Sequence, residues 1–330
     1  MMKDTLMKLL SVYGPTGAET KVADVIAEMI RPFVDEIRTD ALGNLICVRH
    51  GREGGKRVMF SAHMDHIGLV VTDADEHGFL RVFNVGGVRA ERSIGEQVVF
   101  QNGVHGVIGV DGSADKPEMK DLFIDIGADS REEALAMVSL GDVAVYQPSC
   151  VELGRNRLSA PAMDNRAGCA VLLEAMMQLG ETDNEIAAVF SVQEEVGLRG
   201  AKTAAFAVDP DLGIALDVTL TGDVPEARPR MTVKLGGGAA VKVMDRSVIC
   251  APVVRDKLVA LAEEKQIAYQ MEVLTAGGTD AGAMHVSRGG VPSGVISIPC
   301  RYVHSNAETI DVRDAEAAAK LLAAYAEAAL

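Results

Sequence analysis

The sequence contains no tryptophan, and aromatic residues make up only 4% of its 330 residues. Aromatic rings supply the flat apolar surface on which sugar rings stack. The chain therefore has little material for such stacking, which weighs against a carbohydrate-processing site.

Cysteine is also scarce. The five cysteines lie far apart and form no C-x-x-C pair. That spacing indicates neither a disulfide framework nor a zinc site built from thiolates. We interpret them as buried thiols: Cys47, Cys150, Cys169, Cys250 and Cys300.

Basic residues are in the minority, with 32 Lys and Arg against 47 Asp and Glu and a formal charge of −15. An acidic chain repels phosphate backbones, and no run of basic residues forms a local patch. We therefore expect no nucleic-acid partner. The acidic excess itself is ambiguous, because carboxylates serve both as solvated surface and as metal ligands.

Long apolar runs are missing as well. No window offers about 18 consecutive apolar residues, and the first twenty residues lack the continuous apolar core of a signal peptide. The sequence thus predicts no membrane partner and a cytoplasmic location.

The pattern of apolar residues divides the chain into three parts. The first part, 1–68, has two predicted helices and three predicted strands, at 3–13, 20–33, 36–39, 44–49 and 57–62. Between 69 and 158 the sequence turns to short β-rich pieces with one short helix. From 159 to 330, helices and strands alternate again. We predict an α/β domain interrupted by a small β-rich domain.

His63 and Asp65 stand at the end of the third predicted strand, in the order H-x-D. Residues two apart in a strand point the same way, so Asp65 can orient the His63 imidazole while its other nitrogen binds a metal ion. A surface or structural pair is the alternative, and the pair alone is weak evidence for a metal.

Asp164 precedes a predicted helix at 165–179. One interpretation is an N-cap, in which the carboxylate accepts backbone N–H bonds. The other is a bridging ligand that presents its two oxygens to two cations. The same oxygens do not easily serve both purposes.

Glu194 and Glu195 follow the apolar run AAVFSV. Two adjacent carboxylates beside a buried edge repel each other unless a cation lies nearby. If Glu195 binds a metal ion, Glu194 stays free beside the bound water, where a general base is needed. An exposed charge pair on a loop is the alternative.

Asp217 and His304 belong to two further segments of the same kind, at or just after apolar strands. In open α/β sheets, ligands collect beyond the carboxyl ends of the strands. Two imidazoles and three carboxylates there suit Zn²⁺, Co²⁺ or Mn²⁺. The candidate ligands are His63, Asp164, Glu195, Asp217 and His304.

A glycine-rich segment, AGGTDAG, occupies 276–282. It lacks the patterns of phosphate-binding loops, which disfavours nucleotide binding. It fits a tight strand-to-helix turn and equally a substrate-lining loop in which Gly278 and Thr279 contact a peptide.

Six motifs together resemble those of the M42 family of metallo-aminopeptidases, the relatives of glutamyl and tetrahedral aminopeptidases that are sometimes labelled endoglucanase M. They occur in the family order and span nearly the whole chain. The motifs are SAHMDHIG at 61–68, MDNRAG at 163–168, QEEVGLRGA at 193–201, LDVT at 216–219, GGTDAG at 277–282 and RYVHS at 301–305.

The resemblance implies a mixed central sheet flanked by helices, as in zinc exopeptidases, and two divalent metal ions per subunit. By motif match, Asp164 would bridge both ions. His63 and Asp217 would complete one site, and Glu195 and His304 the other.

The resemblance also implies hydrolysis of amino-terminal residues from peptides through a metal-activated water. Glu194 would be the general acid/base, and Asp65 would orient His63. The inserted β-rich domain would serve dimerisation, which implies a homo-oligomer built from dimers, up to a dodecamer.

Two other functions compete with this hypothesis. A glycoside hydrolase of the endoglucanase type needs two carboxyl groups about 5–9.5 Å apart across a glycosidic bond, which adjacent residues seldom provide. An inactive assembly protein of the same fold would have lost ligands, and none of the expected ones is missing.

The preferred amino-terminal residue is open between acidic and aliphatic side chains. Arg301, close to His304 in the chain, is a candidate to attract an acidic side chain. A purely structural role as a hydrogen-bond donor is at least as consistent with its position.

Overall fold

The computed structural model describes residues 2–52, 54–112, 116–227 and 230–330. The chain begins with two helices, α1 (Met2–Leu10) and α2 (Thr20–Ile30). Three strands follow: β1 (Glu36–Thr39), β2 (Leu45–Arg49) and β3 (Arg57–His63). In α1, apolar residues four and seven positions apart put Met2, Leu6 and Leu9 on one buried face.

The next part of the chain forms a small closed barrel. Its strands are β4 (Gly68–Ala74), β5 (Leu80–Val85), β6 (Gln97–Val99), β7 (His105–Val110), β8 (Leu122–Asp125) and β9 (Val143–Tyr146). Two short helices belong to the same part, α3 (Ala90–Ser93) and α4 (Arg131–Met137). Pairing of β9 with both β4 and β6 closes the barrel, and the barrel has an apolar core of its own.

The remainder of the chain supplies eight strands and five helices to the larger unit. The strands are β10 (Val151–Leu153), β11 (Arg157–Ala160), β12 (Glu185–Ser191), β13 (Leu212–Leu220), β14 (Ala239–Met244), β15 (Tyr269–Val273), β16 (Ser293–Arg301) and β17 (Glu308–Asp311). The helices are α5 (Met163–Gln178), α6 (Arg199–Val208), α7 (Pro252–Glu264), α8 (Ala281–Met284) and α9 (Val312–Glu327).

A mixed sheet of eleven strands forms the centre of the larger unit, in the order β1-β2-β12-β3-β13-β16-β17-β11-β10, with β14 and β15 attached through β16. The central strands β12, β3, β13 and β16 are parallel. Their carboxyl ends therefore lie along the same edge of the sheet. The α/β class with a mixed sheet flanked by helices is confirmed.

Helices cover both faces of this sheet. Consecutive residues of a strand point to opposite faces of the sheet. In β3, for example, Phe60 enters one apolar cluster and Met59 enters another. Helices α1, α2, α5, α7 and α9 pack in the first cluster, and α6 and α8 pack in the second. Because the central strands are buried on both faces, their sequences are largely apolar until the chain reaches the polar edge.

The strands β10 and β11 pair with the large sheet through β17, so barrel pairing ends at Tyr146. The predicted end of the β-rich insertion, at 158, falls within β11. The sequence of a short strand does not indicate which strand it pairs with, and β17 lies about 150 residues further along the chain.

Four of the five cysteines are buried, whereas Cys150 is exposed in the segment that links β9 to β10. The expectation of a buried thiol is wrong at that position. Among the residues that the structure describes, no helix has both the length and the apolar character that a membrane crossing needs.

Candidate metal centre

Polar side chains from five segments meet at the carboxyl edge of the central strands. His63 is the last residue of β3, and Asp217 lies in the adjacent β13. Glu194 and Glu195 follow β12, which pairs with β3 on its other side. Sheet topology thus brings together residues that are more than 150 positions apart.

Asp164 joins two groups of potential metal ligands. Its Oδ1 lies 3.2 Å from His63 Nε2, which is also 3.6 Å from Asp217 Oδ1. Its Oδ2 lies 3.3 Å from His304 Nε2, which is also 3.3 Å from Glu195 Oε2. In each group, one ligand atom from every residue lies within 4.8 Å of the others. One carboxylate is therefore shared by two three-residue groups.

The backbone explains why both oxygens of Asp164 are available. Asp164 has φ −79° and ψ 102°, outside the helical region, although it lies within the bounds of α5. The side chain of Asn165, instead, accepts a hydrogen bond from Gly168 N at 2.9 Å, as an N-cap does. The residue that caps the helix is therefore Asn165 and not Asp164.

Gly168 is required by this arrangement. A Cβ built there would lie 2.3 Å from Oδ1 of Asn165. Any larger side chain at position 168 would therefore displace the Asn165 side chain, which caps the helix in place of Asp164.

Asp65 holds the backbone of the Glu194–Glu195 loop. Its Oδ1 accepts a hydrogen bond from Glu194 N at 3.0 Å, and its Oδ2 accepts from Glu195 N at 3.3 Å and from Thr16 Oγ1 at 2.8 Å. The ring of His63 faces the backbone carbonyl of Asp65 at 2.9 Å through Nδ1, whereas the Asp65 carboxylate is 3.5 Å away. With Nδ1 turned to the carbonyl, Nε2 of His63 faces the other carboxylates.

The site is electrostatically crowded. Burial alone would lower the pKa of His304, but Glu195 and Asp164 raise it to about 12. Burial raises the pKa of Asp217 to about 7, with His63 opposing the shift and Asp164 adding to it. Without cations, the negative charge of the carboxylates therefore favours protons on neighbouring groups of the site.

Glu195 Oε1 is buried and has no hydrogen-bond partner in the protein. A buried, unpaired carboxylate oxygen is costly unless a cation lies against it. Imidazole nitrogens and carboxylate oxygens form the donor set typical of Zn²⁺, Co²⁺ or Mn²⁺. The residues present therefore fit a pair of divalent ions, one in each group.

Comparison with known proteins gives the family. The sequence profile described as M42 glutamyl aminopeptidase matches residues 43–321. The chain belongs to the M42 peptidase family.

Several relatives extend over nearly the whole chain. A protein of Acetivibrio thermocellus, provisionally named an aminopeptidase, is 52% identical over 326 residues, or 97% of each chain. Aminopeptidase APDkam598 from Desulfurococcus kamchatkensis has a structure with a TM-score of 0.96 and 40% identity, covering 99% of this chain and 94% of that one. The TET1 peptidase of Pyrococcus horikoshii has a TM-score of 0.88 and 35% identity, covering 99% of both. This M42 peptidase therefore hydrolyses peptides as an aminopeptidase.

A cavity of about 440 Å³ opens over the ligand groups of the M42 peptidase. Glu194 lines it, with Oε2 at 3.8 Å from His63 Nε2. Burial raises the pKa of Glu194 well above its ordinary value, with His63 opposing that shift. Glu194 lies outside both ligand groups.

The three residues suggested to contact substrate differ in position. Gly278 lines the cavity. Thr279 is buried and does not line it. Arg301 does not line it either, because its guanidinium is paired with the Asp223 carboxylate through hydrogen bonds of 3.0 and 2.6 Å.

Sequence reasoning did not identify three side chains that support the site. Asp280 accepts hydrogen bonds of 2.6 Å from Ser61 and Ser191, one in β3 and the other in β12. Arg89 lines the cavity from the barrel. The third, Glu308, accepts hydrogen bonds from the backbone N–H groups of Asp164 and His304. Asp280 could have been identified from the GGTDAG motif, whereas the sequence around Arg89 and Glu308 contains no such motif.

Proposed function

We propose that the chain is a binuclear metal-dependent aminopeptidase, with Glu194 as its general base. The observation that carries this proposal is the position of Asp164, whose two oxygens face the histidines of two different ligand groups. A carboxylate so placed is the arrangement expected between two closely spaced ions.

His63, Asp164 and Asp217 would hold one ion, and Asp164, Glu195 and His304 the other. When bound, the ions would supply Lewis acidity, which polarises the scissile carbonyl and favours ionisation of water. Zn²⁺, Co²⁺ and Mn²⁺ are all compatible with these ligands.

Glu194 would move the proton. It would accept a proton from the water that attacks the scissile carbonyl and return it to the leaving amine. Its burial supports this role, because burial raises the pKa of the Glu194 carboxyl group and so helps it to hold the proton that it has accepted. Asp65 would keep Glu194 in place through the hydrogen bond to its backbone N–H.

The wall of the cavity supports a neutral aliphatic side chain at the amino-terminal residue of the substrate. Outside the ligands and Glu194, this wall is largely apolar and includes Leu198, Val218, Leu220, Leu274 and Val303. A charged side chain buried against these apolar residues would pay its desolvation cost. Among the described residues that line the cavity, the Arg89 guanidinium is the one basic side chain apart from the two histidines. Arg301 is not available as a partner, since Asp223 occupies its guanidinium.

We further infer a homo-oligomer built from dimers, a cytoplasmic location, peptides as substrates, and neither nucleic acid nor membrane as partner. The similar TET1 peptidase is described as able to assemble into a tetrahedron or a large octahedral shell. The barrel is the part of this chain that we expect to mediate dimerisation.

Hydrolysis of amino-acid p-nitroanilides before and after chelation tests the function. Activity should disappear with chelator and return with Zn²⁺, Co²⁺ or Mn²⁺, and N-acetylated substrates should not be cleaved. Chelator-resistant cleavage of a β-glucan would instead support the endoglucanase hypothesis. Inactivity on every side chain, with metal added, would support an inactive assembly protein.

A further inference from the structure

Glu308, the first residue of β17, links two ligands that are distant in sequence. Its Oε1 accepts a hydrogen bond from His304 N at 2.7 Å, and its Oε2 accepts from Asp164 N at 3.0 Å. The side chain is buried. One carboxylate therefore fixes the distance between the peptide groups of Asp164, after β11, and His304, after β16.

The segment that carries His304 needs such a support. His304 has φ 60° and Tyr302 has φ 61°, both in the left-handed region that non-glycine residues seldom adopt. Residues held in that region depend on surrounding contacts to stay there. The hydrogen bond from His304 N to Glu308 is a contact of this kind, and it is charge-assisted when Glu308 is ionised.

The other ligand group is held by different contacts. His63 is oriented by the backbone carbonyl of Asp65. Asp217 lies within the buried strand β13, where its carboxylate accepts a hydrogen bond from Val218 N at 2.8 Å. Neither contact involves Glu308, whose hydrogen bonds reach Asp164 and His304 but not His63 or Asp217.

We propose that Glu308 is a positioning residue for the Asp164–Glu195–His304 group. It sets the separation of Asp164 and His304, and its loss weakens ion binding in that group more than in the His63–Asp164–Asp217 group. This inference rests on the two-ion part of the proposed function. It adds a residue that touches neither ion nor substrate and acts through the backbone of two ligands.

The chain offers a matched control. Asp314 in α9 is also buried, and its two oxygens accept hydrogen bonds of 2.7 Å from Gly236 N and Gly238 N. Like Glu308, it accepts from two backbone N–H groups, but neither of those groups belongs to a residue of the two ligand groups. The substitution Asp314→Asn therefore measures the general cost of disturbing a buried carboxylate that holds two backbone N–H groups.

The test uses the full-length protein loaded with Co²⁺ and titrated with a chelator of known affinity. In Glu308→Gln the amide keeps one acceptor oxygen, while its NH₂ group faces a backbone donor. We expect one of the two ions to be held about 10- to 100-fold more weakly and the other to be little changed. The visible Co²⁺ absorption should lose the contribution of the weakened ion alone.

Asp314→Asn should retain both ions as the wild type does, whatever its thermal stability. If Glu308→Gln also retains both ions with unchanged affinity, or loses both equally, the proposal is overturned. If Glu308→Gln does not fold, Glu308→Asp takes its place, because it keeps both acceptors on a side chain one methylene shorter. It should show the same selective loss, and unchanged affinity would overturn the proposal.

Wild-type protein that holds fewer than two ions per chain would contradict the proposed function itself, and the inference with it. That result is distinct from two firmly held ions in both the wild type and Glu308→Gln, which would contradict the inference alone.

Discussion

The carboxylate of Asp65 accepts a hydrogen bond from the backbone N–H of Glu194, at 3.0 Å. A second hydrogen bond, from Glu195 N, reaches the other oxygen of the same carboxylate. The backbone of Glu194, the proposed general base, and of Glu195, a proposed metal ligand, is thus fixed by one buried side chain. This contact orients the loop after β12 and leaves the Glu194 side chain free in the cavity.

Asp65→Asn should lower kcat about 10- to 100-fold, with a smaller change in KM. The asparagine keeps one acceptor and turns an NH₂ group towards the other N–H, so the loop loses its fixed position. Steady-state kinetics with saturating metal would measure the effect. Thr16→Val is the control, because it removes only the hydroxyl contact to Asp65. A kcat for Asp65→Asn equal to that of Thr16→Val would refute this role.

Glu194→Gln should keep the wild-type metal content and lose about 10²- to 10⁴-fold in kcat, as expected for removal of a general base. Glutamine has nearly the same shape but cannot accept the proton. Elemental analysis and kinetics on the same sample separate the two effects. Glu195→Gln, by contrast, should lose metal. Near-normal turnover by Glu194→Gln would remove it from the mechanism.

The apolar side chains of the cavity wall predict that leucine and methionine p-nitroanilides are hydrolysed with higher kcat/KM than the glutamate and lysine substrates. Arg301→Ala should leave the ratio of leucine to glutamate hydrolysis unchanged, because Arg301 is occupied by Asp223. Arg89→Gln tests the cationic side chain that does line the cavity. Preference for glutamate that disappears in Arg89→Gln would replace the apolar assignment with an acidic one.

Metal binding should weaken as the pH falls. In the ion-free site, Glu195 and Asp164 raise the pKa of His304 to about 12 against the effect of burial, so the imidazole carries a proton at pH 7. The pKa of His63 is raised in the same direction by Glu194, Asp164 and Asp217, again against burial. An ion must displace these protons. Calorimetry in buffers of different ionisation enthalpy should detect release of about one proton or more per ion, and binding without release would contradict this account.

Much of the site can be predicted from the sequence because its ligands occur at or just after apolar strands. His63 and Glu195 illustrate this: each marks the point where one of the buried parallel strands of the mixed sheet reaches the polar edge. The topology then brings them together without further information. The α/β class follows from the same alternation of apolar strands and helices.

The supporting contacts are not predictable in this way. Glu308 begins a four-residue strand with no distinctive pattern, and its role arises only because β17 pairs with β11 and β16. Arg301 shows the opposite case. Its proximity to His304 in sequence suggested a substrate contact, yet its side chain pairs with Asp223, 78 positions earlier. Side-chain direction at the end of a strand depends on partners that the local sequence does not specify.

Anomalous diffraction from crystals of the Zn²⁺-loaded protein tests the central claim most directly. Two peaks per chain are expected, both within about 2.0–2.2 Å of Asp164 oxygens. One should be bound by His63 and Asp217, and the other by Glu195 and His304. A single peak, or two peaks that do not share Asp164, would contradict the binuclear site.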